Sequence, residues 1–357
     1  MPANVSPDFK KAEAEFRQAR DTPERLRCLK EMLRTIPKHK GTERLQADIK
    51  TRIRQLTDEL SGPRAGAVHG GPPQAVRQEG AAQIAIIGPP NAGKSSLHVQ
   101  LTGSHSEIGP YPFTTRAPVP GMLAYEDVHF QLVDLPPISR QAMESWYINA
   151  LQPADAAILV IDLGDCECLD HVTDIRDRLD QRRVSLVPDW PCPPDDRRPA
   201  PGPVEPRPAS SPAADDNDPL SDPFRLFLPT LMLANKSDLL AEPDAELATL
   251  QELLATSYPA SAVSARTGRG LAALAPFLFR ALGIVRVYTK TPGREADLQK
   301  PYTLRRGSTV HEVARLIHKE IARDLKFARV WGSGQFPGQQ VGPEHQVADR
   351  DILEVHV

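Results

Sequence analysis

The 357-residue sequence has few cysteines and no long apolar segment. Its four cysteines are Cys28, Cys166, Cys168 and Cys192, and their scatter fits neither a disulfide framework nor a four-ligand zinc site. We interpret them as free thiols, which are typical of a reducing cytoplasm. No apolar run approaches the ~18 residues of a membrane span, and the N-terminal segment lacks the apolar core of a signal peptide. We therefore expect a cytoplasmic protein with no membrane contact.

Net charge is also small, at −3 with 25% charged residues, which is typical of a globular chain. The charge is unevenly distributed, however. Residues 1–60 contain 14 Lys and Arg against 10 Asp and Glu, residues 284–357 contain 12 against 9, and the centre is acidic. Basic ends are typical of a protein whose flanks contact a polyanion such as RNA, but an ordinary solvated surface explains them equally well. We expect no DNA partner.

Proline is abundant instead, and it is concentrated in one segment. Residues 188–229 contain 13 of the 36 prolines and few apolar side chains, so we expect a disordered insert that cannot form a core. Residues 61–80 are rich in glycine and proline without a hydrophobic period, which predicts a linker. The chain then divides into residues 1–60, residues 81–283 and residues 284–357.

Hydrophobic periodicity predicts a different architecture for each of these parts. Residues 1–60 have helical stripes, such as Leu45, Ile49 and Ile53, and are predicted to form a helical hairpin. In residues 81–283, short apolar runs alternate with amphipathic segments, which predicts an α/β domain with a mostly parallel sheet. In residues 284–357, β-branched runs surround one amphipathic helix, which predicts a small α+β module.

The clearest chemical motif begins at Gly88 and reads GPPNAGKSS. An apolar strand precedes it and a helix start follows it, as in the P-loop pattern G-x-x-x-x-G-K-S, where converging backbone N–H groups bind phosphate. Lys94 would reach the terminal phosphates, and the Ser95 hydroxyl would bind Mg²⁺. A plain glycine-rich turn is the alternative. The predicted phosphate-binding residues are Gly88, Asn91, Ala92, Gly93, Lys94, Ser95 and Ser96.

A second motif, NKSD from Asn235, follows another apolar strand and selects the base. The Asp238 carboxylate can accept hydrogen bonds from N1–H and the 2-amine of guanine, whereas adenine has neither donor. We expect Asn235 to tie this loop to the P-loop or to the purine N7, and the Lys236 stem to pack along the base. The Ser264-Ala265 pair would offer a backbone N–H to the guanine carbonyl. The set disfavours an ATP-using kinase.

A metal site is predicted between these two motifs. Asp134 ends a predicted strand and matches the Mg²⁺-side carboxylate of such folds. Thr115, or its neighbour Thr114, lies between the P-loop and Asp134 and could close over the metal and the γ-phosphate. The predicted magnesium residues are therefore Ser95, Thr115 and Asp134.

These motifs together resemble a known family. Residues 88–268, with GPPNAGKSS, YPFTTRAPVPG, VDLP, LANKSD and VSA, resemble an Obg-type translation-factor-related GTPase, nearest the developmentally regulated GTP-binding (DRG) proteins. Residues 284–357, with LRRGSTVHEVARLIHKEIARDLKFARVWG, are similar to a TGS domain. The resemblance implies a ubiquitin-like β-grasp fold for the C-terminus, and a ribosome or structured RNA as partner.

The sequence departs from the family pattern where hydrolysis would occur. The pattern D-x-x-G would have glycine at position 137, but Pro137 has no N–H to offer the γ-phosphate. Ile138 follows, where a water-orienting glutamine stands in small GTPases with intrinsic activity. Asn91 matches the asparagine of GTPases activated by potassium, so it is a candidate ligand for a monovalent cation such as K⁺.

We therefore predict a cytoplasmic GTPase that binds GTP and GDP with Mg²⁺, hydrolyses GTP slowly, and acts on the ribosome or structured RNA. The alternative is a GTP-binding scaffold without turnover, whose ends dock RNA or protein.

Overall fold

A computed structural model describes residues 7–19, 22–36, 43–60, 76–103, 117–138, 143, 146–192, 222, 224–334 and 336–357. The chain divides into two compact units. One contains residues 1–72 and 200–226, and the other contains residues 73–199 and 227–357. Among the helices so described, none is both long and apolar enough to cross a membrane.

The first unit is helical, as predicted, but its described part has three helices where a hairpin was expected: α1 (Pro7–Gln18), α2 (Thr22–Thr35) and α3 (Glu43–Leu60). Its core is built from the apolar stripes of these helices, including Phe9, Leu29 and Ile49. Phe224 completes this core and lies edge-on to Phe16, with ring centroids 6.0 Å apart. A residue from the expected proline-rich insert thus packs against the helices.

The second unit contains a seven-stranded sheet. Its strands are β1 (Ala82–Ile87), β2 (Val119–Tyr125), β3 (Val128–Asp134), β4 (Ala156–Asp162), β5 (Val184–Val187), β6 (Leu226–Asn235) and β7 (Ala260–Ala262). The order is β2-β3-β1-β4-β6-β5, and β7 pairs with β6. Four neighbouring pairs, β1–β3, β1–β4, β4–β6 and β6–β7, are parallel. The pair β2–β3 is antiparallel. This confirms the predicted mostly parallel α/β sheet.

The helices of this part are α4 (Lys94–Thr102), α5 (Trp146–Leu151), α6 (Cys168–Gln181), α7 (Pro243–Leu253) and α8 (Leu274–Ala281). Every residue of β1 is buried, because helices cover both faces of a central parallel strand. Parallel strands direct their carboxyl ends to one edge of the sheet. The P-loop after β1, Asp134 at the end of β3 and Asn235 at the end of β6 therefore meet at that edge.

The structure shortens the expected insert at both ends. Trp190 is buried and packs on Phe277, with ring centroids 5.1 Å apart, and β6 begins at Leu226, inside the expected insert. Burial of these apolar side chains stabilises the ends of the insert, although the sequence around them is rich in proline. Residues 193–221, the centre of the expected insert, lie outside the described residues, as do residues 61–75 of the expected linker.

Residues 284–357 form a second sheet of five strands, β8 (Ile284–Lys290), β9 (Asp297–Arg305), β10 (Phe327–Trp331), β11 (Gln339–Val341) and β12 (Asp351–His356). The order is β11-β10-β12-β8-β9, with β8 and β12 parallel at the centre. The single amphipathic helix expected here is two helices, α9 (Val310–Ile317) and α10 (Lys319–Asp324), because His318 is extended. A capping box between Thr309 and Glu312 begins α9.

Arg286 joins the two sheets. It is 4% exposed, and its guanidinium donates to Glu126 and Asp127 in the β2–β3 turn and to Asp349 near the C-terminus. The Tyr288 hydroxyl also donates to Asp127. We call this cluster the β2–β3 junction. It fixes the C-terminal sheet against the ribbon that ends at Asp134.

Candidate nucleotide-binding site

The P-loop is held in its conformation by close backbone packing. Gly88 has a φ of 152°, and a Cβ there would lie 2.2 Å from the carbonyl oxygen of Val160. Gly93 has a φ of 86°, and its Cβ would lie 2.3 Å from the Asn235 amide nitrogen. Both positions therefore require glycine. The loop then enters α4, and the N-terminus of a helix is a common phosphate-binding site.

Lys94 lies inside this loop. Its ammonium group donates to the Pro89 carbonyl at 2.7 Å, and its side chain is buried. Burial lowers the pKa of Lys94 to about 8, and the Asp134 carboxylate only partly offsets this effect. The negative charge of a bound phosphate would therefore keep Lys94 protonated.

Two oxygen ligands lie next to Lys94. The Ser95 hydroxyl donates to the Asp134 carboxylate at 2.5 Å, and Asp134 is fully buried at the end of β3. A hydroxyl and a carboxylate are the hard oxygen ligands that Mg²⁺ prefers, and this ion usually completes its shell with water and substrate phosphates. The pair therefore fits magnesium. Thr115, the third predicted ligand, lies outside the described residues.

Asn235 ties the base-binding loop to the P-loop. Its amide group donates to the Ala92 carbonyl at 2.9 Å, and its side-chain oxygen accepts the Ala265 N–H at 2.9 Å. The side chain is 2% exposed. One asparagine thus connects the loops that follow β1, β6 and β7. Of the two roles expected for it, the geometry favours the tie over contact with the purine.

Asp238 forms part of a cavity of about 190 Å³ beside this tie. Ser264 donates to one carboxylate oxygen at 2.5 Å, and Arg266 donates to the other at 2.5 Å. The Ser264 hydrogen bond, with the Arg266 charge beside it, lowers the pKa of Asp238 below its ordinary value despite burial. The cavity is lined by Gly93, Ser96, Asn235, Lys236, Asp238, Leu239, Ala265 and Arg266.

Comparison with known proteins identifies the domains. A family model described as "50S ribosome-binding GTPase" matches residues 83–187, and a TGS-domain model matches residues 285–357. The chain carries a P-loop GTPase domain and a TGS domain. It is 28% identical to an uncharacterized GTP-binding protein of Methanocaldococcus jannaschii, over 93% of this chain and 92% of that protein.

The likeness to developmentally regulated proteins extends along the same length. The chain is 26% identical to Developmentally-regulated G-protein 2 of Arabidopsis thaliana, over 91% of this chain and 88% of that protein. Among solved structures, an Era variant of Aquifex aeolicus bound to GDP·AlF4⁻ is 18% identical, with a TM-score of 0.39 and coverage of 71% of this chain and 73% of that chain.

The GTPase domain departs from the family pattern after β3. Pro137 follows Pro136, and Ile138 donates its N–H to the Gly88 carbonyl at 3.2 Å while its side chain is buried. That apolar side chain cannot orient a water molecule. The segment instead packs onto the beginning of the P-loop.

Asn91 lies at the tip of the P-loop of this GTPase domain. It is exposed and has a φ of 61°, in the left-handed region that asparagine tolerates better than most residues. The identity of this residue therefore has a conformational explanation, independent of the ligand role predicted for it.

Sequence reasoning missed three residues of this site. Arg266 pairs with Asp238, and the exposed Leu239 lines the same cavity. Asp162, at the end of β4, accepts from the Lys236 ammonium group at 2.7 Å. The end of a buried strand is a signal that could have identified Asp162. No pattern in the sequence pointed to Arg266.

Proposed function

We propose that this protein binds GTP and GDP together with Mg²⁺ at the candidate site and hydrolyses GTP slowly. The proposal depends on Asn235, which joins the P-loop to the base-binding loop at 2.9 Å on each side. Because of this tie, a nucleotide held by the phosphate loop would have its base beside Asp238. Guanine fits that carboxylate, whereas adenine would leave it unpaired.

Each residue would then have a defined task. Lys94 would exchange the Pro89 carbonyl for phosphate oxygens, and the N–H groups at the start of α4 would bind the same oxygens. Ser95, Asp134 and Thr115 would hold Mg²⁺, which neutralises phosphate charge when it is bound. The Lys236 stem would pack along the base. The backbone N–H groups of Ser264 and Ala265, predicted to face the guanine carbonyl, already donate to the Arg269 carbonyl and to the Asn235 side-chain oxygen, so the guanine carbonyl would have to share or replace one of these acceptors.

The slow rate follows from the residues after β3. Pro137 has no N–H for the γ-phosphate, and Ile138 cannot hold a water molecule in line for attack. We propose that Asn91 holds a potassium ion there, which would supply the positive charge that an arginine finger supplies in other GTPases.

Nucleotide competition tests the binding proposal. Bound fluorescent GDP should be displaced by GTP and GDP but not by ATP at the same concentration. Asn235→Asp keeps the acceptor for Ala265 and removes the donor to Ala92, so affinity should fall at least about tenfold. Equal displacement by ATP would contradict the guanine assignment.

We further propose that the protein acts on the ribosome or structured RNA. The similarity of residues 83–187 to 50S ribosome-binding GTPases and the basic ends of the chain support this proposal. Arg305 is already engaged, because it pairs with Asp155 at 2.8 Å and donates to the Leu282 carbonyl. Arg306 is exposed beside it and is the better candidate. Lys38 and Lys40 lie outside the described residues.

Co-sedimentation with ribosomal subunits, in GDP and in a GTP analogue, tests this partner. Binding should weaken with salt, since counterions leave the phosphates. Arg306→Glu combined with Lys38→Glu should weaken it further, whereas Arg182→Glu, a single reversal at an exposed site outside the basic ends, should have less effect. Binding that is independent of salt concentration and of these charge reversals would indicate a protein partner.

A scaffold without turnover is the second candidate, and Pro137 favours it because the missing N–H is one that hydrolysis uses. Single-turnover GTP hydrolysis, with and without ribosomes, separates the two. Measurable hydrolysis supports the GTPase proposal, and its absence under both conditions supports the scaffold.

A further inference from the structure

The Asp238 carboxylate has two side-chain donors, one on each oxygen. Ser264 donates to Oδ1 and Arg266 donates to Oδ2, both at 2.5 Å. The Asp238 side chain is 12% exposed and thus well sheltered, whereas the Arg266 side chain is 72% exposed. The carboxylate is therefore fixed, and the arginine can move at little cost.

A guanine base would compete with Arg266. Guanine presents N1–H and its 2-amine to a carboxylate, one donor for each oxygen. Each oxygen of a carboxylate can accept more than one hydrogen bond, so Ser264 can stay in place. Arg266 lines the same cavity as Asp238, however, and would have to leave Oδ2 or share it with the amine.

Hypoxanthine differs from guanine only in lacking the 2-amine. In an ordinary guanine site, losing this donor leaves one sheltered carboxylate oxygen unpaired, which is why such sites reject inosine nucleotides. Here Arg266 can remain on Oδ2 while N1–H of hypoxanthine donates to Oδ1. The arginine would thus replace the missing amine.

We infer that Arg266 widens the base specificity of this site, so that it accepts 6-oxopurines with or without a 2-amine, inosine as well as guanosine nucleotides. The inference rests on the proposed nucleotide site. Adenine is still rejected, because it has no N1–H and would place its ring nitrogen against the carboxylate.

The test compares the affinities of GDP and IDP for three full-length proteins, by displacement of fluorescent GDP. The wild type should bind GDP less than about tenfold more tightly than IDP. Arg266→Ala removes the substitute donor, so this ratio should rise about tenfold, through weaker IDP binding and equal or tighter GDP binding.

Arg269→Ala is the matched control. Arg269 is also an exposed arginine of the same loop, but it pairs with Asp244 at 3.6 Å and does not line the cavity. The ratio of GDP to IDP affinity in this variant should equal that of the wild type. High salt should also raise the wild-type ratio, because it weakens the Arg266–Asp238 pair.

Two results would overturn the inference. Arg266 does not replace the amine if the wild type binds IDP more than about a hundredfold more weakly than GDP. The same holds if Arg266→Ala leaves the ratio of GDP to IDP affinity unchanged. In both cases tight GDP binding would leave the proposed function intact. Failure of both GDP and IDP to bind would instead refute the proposed nucleotide site, and the inference with it.

Discussion

The two halves of the candidate site differ in how completely they are built. On the base side, Asn235, Asp238 and Ser264 are buried or sheltered and bonded to one another's loops at 2.5–2.9 Å. On the γ-phosphate side, a proline stands where a donor is expected, and the buried Ile138 replaces a water-orienting residue. The chain thus has the groups expected to recognise a nucleotide, and it departs from the family pattern at two positions expected to act on the terminal phosphate.

From this difference we expect nucleotide recognition and GTP turnover to respond to different substitutions in this protein. Base recognition needs rigid donors and acceptors, which the ends of buried parallel strands provide. Hydrolysis needs charge stabilisation and an oriented water molecule at the other end of the ligand. Substitutions on one side should therefore change binding, and substitutions on the other should change the response to the γ-phosphate.

The largest effect is expected on the base side. Asp238→Asn exchanges an acceptor for a donor, so GDP affinity should fall about 100-fold while xanthosine diphosphate affinity rises. Displacement titrations with both nucleotides measure this. Asp244→Asn, at an exposed acidic residue of α7, is the control and should leave both affinities unchanged. A loss for both nucleotides alike would mean that Asp238 only supports the loop.

On the phosphate side, Pro137→Gly would restore the missing donor. One hydrogen bond to a charged acceptor should favour a non-hydrolysable GTP analogue over GDP by about tenfold relative to the wild type. Pro136→Gly relaxes the same segment at the preceding position and should not change this ratio. An equal gain in the two variants would indicate flexibility instead of the N–H.

The pH dependence of binding tests Lys94. Its pKa is about 8 because the side chain is buried, and bound phosphate should raise it. Above pH 8 the free protein has lost this proton and must take it up on binding, so nucleotide affinity should fall several-fold by pH 9. Calorimetry in buffers of different ionisation enthalpy would measure the uptake. Constant affinity between pH 7 and pH 9 would contradict this assignment.

The smallest effect concerns the cation. GTP hydrolysis should be a few-fold faster in potassium than in sodium, and Asn91→Ser should abolish the difference while GTP still binds. Asn91→Gly removes the same amide but suits the φ of 61° without strain. Loss of the potassium effect in both variants supports the amide as ligand. Loss in the serine variant alone would indicate a disturbed turn.

Sequence predicted the parts of the fold that local patterns encode. The P-loop, the NKSD motif and Asp134 each follow an apolar strand, and a parallel sheet brings strand ends together. The short strand β5, only four residues long, was missed. So were the packed ends of the insert, because tertiary burial of Trp190 and Phe224 overrode local composition.

Side-chain pairings between distant positions were not predictable. Arg266 lies 28 positions from Asp238, and Arg286 lies about 160 positions from Glu126 and Asp127. Neither arginine belongs to a motif, and a charged residue in a sequence is usually a solvated one. Only the folded chain shows that Arg286 is among its most buried charges.

The β2–β3 junction has a mechanical consequence for the TGS domain. Helix α8 ends at Ala281 and β8 begins at Ile284, so Leu282 and Gly283 alone connect the two domains. A two-residue connection allows little relative movement of the domains. The β2–β3 junction holds the TGS domain to the β2–β3 turn at a second point. A force applied to the TGS domain would therefore be transmitted directly to strands β2 and β3, and β3 carries Asp134.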